Sequence, residues 1–280
     1  IELGCTFFDT ALAYGNGRSE QLLGRVLANH RDKTLRVATK VPPKNGRWPA
    51  VPDYALEDVF PADYIRQCTE TSLTNLGLDS VDLQQLHVWT DAWALDDRWP
   101  RAVADLKSEG LIRGFGISIN RWQPDSVFNA IATGVVDSVQ VVYNIFDQNP
   151  EDELVPRCRE MGVAVIARVP FDEGSLTGTM HRGMKWPEGD WRNLYFTRDK
   201  LNDTLDRVDR LAADLPAGRS MPATALKFIL ANPDVSTVIP GMRKLSHVEQ
   251  NIGVSDGVPL PAGLVGELKE HRWERSVDWE

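Results

Sequence analysis

The 280-residue sequence is poor in the side chains that build metal sites and disulfide frameworks. It contains three cysteines and five histidines. Cys5, Cys68 and Cys158 form no CxxC pair, and the histidines show neither the HxH nor the HExxH spacing of zinc sites. We therefore expect free thiols in a reducing compartment and no resident metal, which argues against a metal-dependent hydrolase.

Long apolar runs and an excess of positive charge are missing too. No stretch approaches the roughly 18 apolar residues of a transmembrane helix, and no signal peptide pattern is visible at the start. The formal net charge of −9 repels nucleic acid phosphates and anionic membrane surfaces. We expect a cytoplasmic protein whose partner is a small molecule, with no nucleic acid and no membrane.

The chain also lacks a proline- or serine-rich linker and any low-complexity tract. Its length is within the range of one (β/α)8 TIM barrel, so we predict a single domain over residues 1–280. A doubly wound nucleotide-binding sheet would show G-x-G-x-x-G after its first strand. Gly15 and Gly17 start that pattern, but Glu20 occupies the position of the third glycine.

Short β-branched runs alternate with amphipathic segments, which predicts repeated βα units and a parallel α/β fold. The predicted strands are Cys5–Thr10, Leu35–Val41, Val81–Val88, Ile112–Ser118, Val135–Tyr143, Val163–Val169 and Val235–Pro240. The predicted helices are Ser19–His30, Ala62–Leu76, Pro100–Ser108, Pro124–Ala132, Glu151–Met161, Leu201–Leu215, Pro222–Leu230 and Leu264–Trp273. The segment Met180–Trp191 is predicted to be a long loop.

Seven strands are predicted where an eight-stranded barrel needs one more. The first four residues, Ile1-Glu2-Leu3-Gly4, resemble the last turn of a helix and its glycine cap. We therefore expect that the first strand and helix of the barrel are missing from this chain, a βα unit of about 30–45 residues.

Three predicted strands carry a polar residue at their carboxyl end, one position before the last. This residue is Asp9 in the first strand, Lys40 in the second and His87 in the third, and Tyr14 lies in the loop after Asp9. The carboxyl ends of barrel strands converge on one face, where active sites are built. Taken singly, the aspartate could cap a turn, the tyrosine could pack in its loop, the lysine could be solvated and the histidine could be structural. Together they favour an active site.

These residues lie in motifs that resemble the aldo-keto reductase family. FFDTALAYGNGRSEQLLG is similar to its signature, and ATKV and LQQLHVW resemble its catalytic lysine and histidine segments. FGIS, VQVVYN and VIPGMRKLSHVEQN resemble its cofactor-binding segments. The resemblance covers residues 5 to about 251 and implies a barrel enzyme that reduces an aldehyde or ketone with NADPH.

The chemistry of such a reduction gives each of the four residues a role. A free tyrosine has a pKa near 10, which makes it a weak proton donor. A lysine cation about 4 Å away contributes about 4 kcal/mol at an effective dielectric near 20, and so moves the pKa of Tyr14 toward neutrality. Asp9 would keep Lys40 charged and in position. His87 would hydrogen-bond the carbonyl and orient it against the nicotinamide.

The family resemblance also implies a cofactor site. Ser118 and Gln140 correspond to residues at the nicotinamide carboxamide, and the loop from Val169 to Leu176, which includes Phe171, lies at the pyrophosphate. Six residues correspond to the site for adenine and the 2′-phosphate: Gly241, Met242, Arg243, His247, Gln250 and Asn251. An arginine suits a phosphate because its fork matches phosphate geometry; taken alone, Arg243 could equally form a surface salt bridge.

The sequence departs from the family pattern at two cofactor positions. Ile119 stands directly after Ser118, where an asparagine is usual, and Asn120 follows it. Arg168 stands where an aromatic residue usually stacks on the nicotinamide, with Val169 at a usually small polar position. Arg168 is expected beside the nicotinamide, or turned away to pair with Asp172 or Glu173.

Tryptophans indicate an apolar or aromatic carbonyl substrate. Trp48, Trp89 and Trp122 are predicted at the catalytic face, with core packing as the alternative for each. Sugar-like or inositol-like substrates stay open. The alternative function is a catalytically weak, NADPH-binding regulatory or redox-sensing subunit.

Overall fold

The computed structural model describes residues 1–275, in which strands and helices alternate. The strands are β1 (Phe7–Asp9), β2 (Arg36–Val41), β3 (Val81–Leu86), β4 (Ile112–Ser118), β5 (Ser138–Val142), β6 (Ala164–Arg168) and β7 (Thr237–Val238). The helices are α1 (Arg18–Ala28), α2 (Leu56–Val59), α3 (Ala62–Leu76), α4 (Arg98–Ser108), α5 (Phe128–Ala132), α6 (Leu154–Met161), α7 (Arg192–Tyr195), α8 (Arg198–Asp214), α9 (Met221–Leu230), α10 (Leu245–Ile252) and α11 (Ala262–Lys269).

The described chain divides into two compact units. The first comprises Ile1–Val141 and Glu153–Ile166, and the second comprises Val142–Asp152 and the described residues from Ala167 onward. Strands β5 and β6 begin in the first unit and end in the second, and the strand order follows the chain from β1 to β7. The expectation of a single barrel domain stays a prediction.

The sheet of the first unit is parallel. Strand β1 pairs with β2, β2 with β3, β3 with β4 and β4 with β5. In this register Lys40 is opposite Gln85, and Ser118 is opposite Gln140. Strand β5 is buried along its whole length and β2 in all but its first residue. That burial is typical of parallel strands covered on both faces.

Helix α1 packs closely against the end of α3. A Cβ atom on Gly24 would lie 2.6 Å from the carbonyl oxygen of Asn75 and 2.8 Å from that of Leu76. The buried carboxylate of Glu20 accepts hydrogen bonds from the Thr39 hydroxyl at 2.5 Å and the Asn75 side-chain amide at 2.9 Å. These contacts connect the first helix to β2, the strand that carries Lys40.

In the second unit, the loop 180–191 packs on a small core of its own. Trp186 stacks on Phe196 with 5.3 Å between ring centroids. Leu201 and Leu205 of α8 complete this buried cluster, and Met184 packs against it from the loop. Residues 180–191 contain no helix or strand, as predicted from the sequence. The backbone amide of Ile239 donates to the carbonyl of Ala167, which joins β7 to β6.

The predicted α/β class and the parallel pairing are confirmed, and the seven predicted strands all form. The bounds of Ile112–Ser118 and Ala62–Leu76 match those predicted. Helix α5 begins at Phe128 rather than at Pro124, and β7 has two residues instead of six. The sequence patterns did not predict the helices α2, α7 and α10. The βα unit expected before Ile1 stays a prediction.

Among the described residues no helix combines the length and apolar character that crossing a membrane requires.

Candidate active site

A buried ion pair connects the ends of the first two strands. The Lys40 ammonium lies 2.5 Å from Oδ2 of Asp9 and also donates to the carbonyl oxygen of Thr10 at 2.8 Å. The Lys40 side chain has no exposed surface, and that of Asp9 has 7%. Burial strengthens the attraction between the two charges and fixes the position of the lysine.

Two glutamine amides complete the surroundings of Asp9. Its other oxygen, Oδ1, accepts from Gln140 Nε2 at 3.0 Å and from Gln85 Nε2 at 3.4 Å. Both glutamines are buried, and Gln140 Nε2 lies 3.4 Å from Gln85 Oε1. The carboxylate is therefore held by neighbouring strands as well as by the lysine.

Tyr14 and His87 lie at the same strand ends. The Lys40 ammonium is 5.5 Å from the centroid of the Tyr14 ring, and the Tyr14 and His87 rings are 5.7 Å apart in an edge-on arrangement. Tyr14 keeps 46% of its surface exposed. The structure therefore brings together the four residues that the sequence analysis selected.

Trp48 lies beside this group, whereas Trp89 packs within an aromatic cluster in the core. The Trp48 ring lies edge-on to His87 at 4.6 Å and is half exposed. Trp89 is completely buried and packs edge-on against Trp93 and Trp99 at 5.6 and 5.4 Å. That packing agrees with the alternative interpretation of Trp89 as a core residue.

Ser118 and Gln140 face each other at the ends of β4 and β5, and both are buried. The backbone amide of Ile119 donates to the Gln140 carbonyl at 3.1 Å. Asn120, which is one position later than the family pattern expects, donates from its side chain to the carbonyl oxygen of Ala50 at 2.8 Å. It therefore anchors the loop that carries Trp48.

Trp122 follows directly and has a positive φ of 57°. The Arg121 guanidinium lies 5.2 Å from its ring centroid. This stacking places both side chains in the loop after β4.

In the second unit, the segment Val169–Leu176 has an unusual backbone. Val169, Asp172 and Glu173 have positive φ values of 54°, 45° and 56°, a region that residues other than glycine seldom adopt. Phe171 precedes the short 3-10 turn Asp172–Thr177, and Leu176 is buried within it. Asp172 forms an ion pair with Arg275 at 2.8 Å. The position of Arg168 beside a nicotinamide stays a prediction.

The segment from Gly241 to Asn251 includes α10. The buried Asn251 amide donates to the Gly241 carbonyl at 3.4 Å, while Arg243 is exposed. The Arg192 guanidinium, with a smaller contribution from Arg243, lowers the pKa of Asp190 to about 2. Met242 and His247 are half-buried and Gln250 is exposed.

Each unit, taken by itself, carries groups that suit part of a nicotinamide dinucleotide. In the first unit, Ser118 has a hydroxyl and Gln140 an amide, which suit a carboxamide. In the second unit, Arg243 is an exposed cation, which suits a phosphate. Within residues 1–275, no cluster of three or more histidine, cysteine or acidic side chains could hold a metal ion.

The sequence analysis did not select the residues that hold Asp9 and the 169–176 segment in place. Gln85 stands inside the quoted motif LQQLHVW, so its place on the strand opposite Lys40 was a usable signal. Asn144 stands at the end of VQVVYN, and its amide contacts the carbonyl of Val169 at 3.1 Å. No sequence pattern marked Arg275 as a supporting residue, because it lies outside every motif quoted above.

Known proteins are similar to this chain over most of its length. The profile of the Aldo/keto reductase family matches residues 1–272. The uncharacterized oxidoreductase YqkF of Bacillus subtilis is 31% identical over 271 residues, which are 97% of this chain and 84% of that protein. The NADH-specific methylglyoxal reductase of Escherichia coli is 30% identical over 260 residues, 89% of this chain and 78% of that protein.

A solved structure gives the same answer for the fold. The holo form of the aldo-keto reductase AKR11C1 from Bacillus halodurans matches with a TM-score of 0.77 at 28% identity. The match covers 97% of this chain and 84% of that one. The family profile, the relatives and the shared fold together establish that this chain belongs to the aldo/keto reductase family of oxidoreductases.

Proposed function

We propose that this protein reduces an aldehyde or ketone to an alcohol with NADPH, and that Tyr14 donates the proton. The observation that carries the proposal is the position of the Lys40 ammonium. It is fully buried, is paired with Asp9 at 2.5 Å and lies 5.5 Å from the centroid of the Tyr14 ring. A cation held beside a phenol has a direct use in acid catalysis, because it stabilises the phenolate that forms when the proton leaves.

The reaction needs a hydride and a proton. The reduced nicotinamide supplies the hydride, with its two electrons, to the carbonyl carbon. The Tyr14 hydroxyl gives its proton to the carbonyl oxygen, which becomes the alcohol. The Lys40 ammonium, 5.5 Å from the centroid of the Tyr14 ring, stabilises the phenolate that Tyr14 becomes when it gives up its proton. Tyr14 is 46% exposed and regains its proton from solvent.

His87 and Trp48 place the substrate in this proposal. The His87 ring lies beside both Tyr14 and Trp48, at 5.7 and 4.6 Å between centroids. A ring nitrogen of His87 donates to the carbonyl oxygen and orients it toward Tyr14. Trp48 offers a half-exposed aromatic wall, which suits an apolar or aromatic carbonyl.

Aldo/keto reductases use nicotinamide cofactors, and we propose which residues hold one here. Ser118 and Gln140 bind the carboxamide, and the 169–176 segment contacts the pyrophosphate. Arg243 binds the 2′-phosphate, which makes NADPH the preferred cofactor. A relative in E. coli is named as NADH-specific, so the preference of this protein for NADPH needs a direct test.

The proposal includes the (β/α)8 barrel as the architecture around the site. The seven strands follow one another in chain order, as they do in such a barrel.

The test is a carbonyl reductase assay on the full chain. NADPH oxidation would be followed with 4-nitrobenzaldehyde, then with a panel of aldehydes, ketones, sugars and polyols in both directions. We expect turnover with the activated aldehyde. Tyr14→Phe should reduce kcat by about 10²–10⁴-fold and leave the Kd of NADPH unchanged. Tyr54→Phe, on a half-buried tyrosine of the same unit, is the matched control.

Two results would contradict the proposal. Normal turnover of the Tyr14→Phe enzyme would show that Tyr14 is not the proton donor. Tight NADPH binding without turnover of any carbonyl would instead favour a cofactor-binding regulatory subunit.

A further inference from the structure

Arg275 is buried between two aspartates of the second unit. Its side chain is 1% exposed, and those of Asp147 and Asp172 are 3% and 1% exposed. Its guanidinium donates to both oxygens of Asp147, at 3.1 and 2.5 Å, and to Oδ1 of Asp172 at 2.8 Å. The planar fork of an arginine fixes the relative position of the groups it binds.

The two aspartates belong to different parts of this unit. Asp147 lies in the turn after β5, where Asn144 donates to Asp147 Oδ2 at 2.9 Å and to the Val169 carbonyl at 3.1 Å. Asp172 lies in the 169–176 segment, and its second oxygen accepts from the Ser175 hydroxyl at 2.7 Å. Arg275 therefore connects the turn after β5 to the 169–176 segment.

The 169–176 segment needs such a connection, because its backbone is strained. Val169, Asp172 and Glu173 have φ values of 54°, 45° and 56°, and Gly174 has 102°. A β-branched residue such as valine is especially unfavourable in this region. Backbone of this kind persists only where its surroundings hold it. Asn144 holds the Val169 carbonyl, and Arg275 holds the Asp172 side chain.

The charge arrangement agrees with a positioning role. Burial alone would lower the pKa of Arg275, but the carboxylates of Asp172 and Asp147 outweigh it and raise that pKa. Buried ion pairs often add little net stability compared with apolar side chains of similar volume. What this group adds is fixed geometry at the 169–176 segment.

We propose that Arg275 is a positioning residue that holds the 169–176 segment in its cofactor-binding shape. The inference rests on the proposed function, in which this segment contacts the cofactor pyrophosphate. If the segment adopts that shape only part of the time, the apparent Kd of the cofactor rises by the inverse of that fraction. Cofactor affinity therefore depends on a residue that is remote in sequence from the binding segment.

The experiment compares five variants of the full chain with the unchanged protein, and the fifth, Asp147→Asn, is paired with Asp172→Asn. Arg275→Met removes the fork, Arg275→Lys keeps the charge, and Asp172→Asn weakens the contact at the segment. Arg272→Met is the matched control, because Arg272 forms surface ion pairs with Asp152 and Glu274. The Kd of NADPH would be measured by quenching of tryptophan fluorescence, the kinetic constants with 4-nitrobenzaldehyde, and the fold by circular dichroism and thermal unfolding.

We expect Arg275→Met to raise the Kd and KM of NADPH roughly tenfold, as a tenfold loss of the competent shape requires. Its kcat at saturating NADPH should stay within about twofold. Arg275→Lys should recover part of the affinity, and Arg272→Met should leave it unchanged. A folded Arg275→Met protein with unchanged NADPH affinity would overturn the proposal.

A purely structural role predicts a different pattern. Asp147→Asn and Asp172→Asn would then lower the unfolding temperature to the same extent, with no change in the Kd of NADPH. We expect instead that Asp172→Asn, the substitution on the segment, raises that Kd by more than Asp147→Asn does. If Arg275→Met fails to fold, the comparison of Asp172→Asn with Asp147→Asn still distinguishes a positioning role from a purely structural one. No binding of NADPH or NADH by the unchanged protein would contradict the proposed function itself, which is a separate result.

Discussion

The ammonium of Lys40 lies 2.5 Å from a carboxylate oxygen of Asp9, and the two side chains are 0% and 7% exposed. Lys40→Met should therefore slow reduction by about 10²–10⁴-fold. In the proposed mechanism reduction requires protonated Tyr14, so we expect the rate to fall as pH rises through the pKa of Tyr14. Removal of the cation raises that pKa and moves the fall to higher pH.

The measurement for Lys40 is kcat against pH with 4-nitrobenzaldehyde. Lys33→Met, which removes an exposed lysine of the same unit, should keep both the rate and the profile. An unchanged pH profile in Lys40→Met would show that Lys40 does not assist Tyr14 in catalysis.

Arg243 is expected to set the choice between cofactors. Arg243→Ala should raise the Kd of NADPH by about 10–100-fold, since a charged hydrogen bond contributes about 1.5–3 kcal/mol. The Kd of NADH should change little, because NADH has no 2′-phosphate. Calorimetric titration with both cofactors measures the difference, with the exposed Arg31→Ala variant as control. Equal losses for NADPH and NADH would contradict the assignment.

Trp48 is expected to favour aromatic substrates. Half of its surface is exposed, and its ring lies 4.6 Å from that of His87. Trp48→Ala should raise the KM of an aromatic aldehyde by about tenfold, since an aromatic pair contributes about 0.5–1.5 kcal/mol beyond area burial. The KM of methylglyoxal should change less. Parallel kinetics with both substrates test this, and equal changes would mean that Trp48 does not discriminate.

Gly24 is expected to tolerate no side chain. A Cβ atom there would lie 2.6 Å from the Asn75 carbonyl oxygen, so Gly24→Ala forces α1 away from α3. We expect a loss of about 1–3 kcal/mol in the free energy of unfolding, although alanine is the better helix former. Gly266→Ala in α11 is the control, because nothing lies within 4 Å of its Cβ. It should stabilise by up to about 1 kcal/mol. Urea unfolding compares the two, and no loss in Gly24→Ala would refute the close contact.

Cys158 is expected to contribute to alkaline destabilisation. Burial raises the pKa of its thiol from 9.0 to about 12. The pKa is higher in the folded state, so this contribution to stability is present below pH 9 and is lost as pH rises toward 12. By linkage the loss at pH 10.5 is about 2 kcal/mol.

The urea unfolding midpoints at pH 8 and pH 10.5 test this effect. The difference between them should be smaller in Cys158→Ala than in the unchanged protein. Cys5→Ala, on a half-buried cysteine, should keep the full difference. An equal difference in all three proteins would show that the thiol does not titrate on unfolding.

Sequence patterns predicted the bounds of helices and strands correctly where tertiary packing favours the same bounds. Helix α3 ends at Gly77 in a left-handed cap, and the glycine marked that end in the sequence. Strand β4 lies between β3 and β5 and has the predicted bounds. Strand β7 has two residues where six were predicted. Pro240, the last of the six, has no amide hydrogen to donate to a neighbouring strand.

The site was predictable where its residues end strands, and unpredictable where they depend on tertiary contacts. Asp9, Lys40 and His87 follow from the convergence of parallel strand ends. The burial of Trp89 depends on Trp93 and Trp99, which form an aromatic cluster that no local pattern specifies. The pairing of Asp172 with Arg275 spans 103 positions of sequence, and no periodicity predicts a contact of that range.

The segment that begins the active site has two sets of side chains with different surroundings. Asp9 and Tyr14 lie with Lys40 at the strand ends, whereas Glu20 and Gly24 contact the end of α3. A random mutant library of residues 9–24 should therefore separate into two classes of inactive clones. Changes at the first pair should give abundant protein without activity, and changes at the second pair should give little protein at all. Residues 9–24 thus include some positions that catalysis requires and others that folding requires. Selection for folded protein alone would not preserve the catalytic positions.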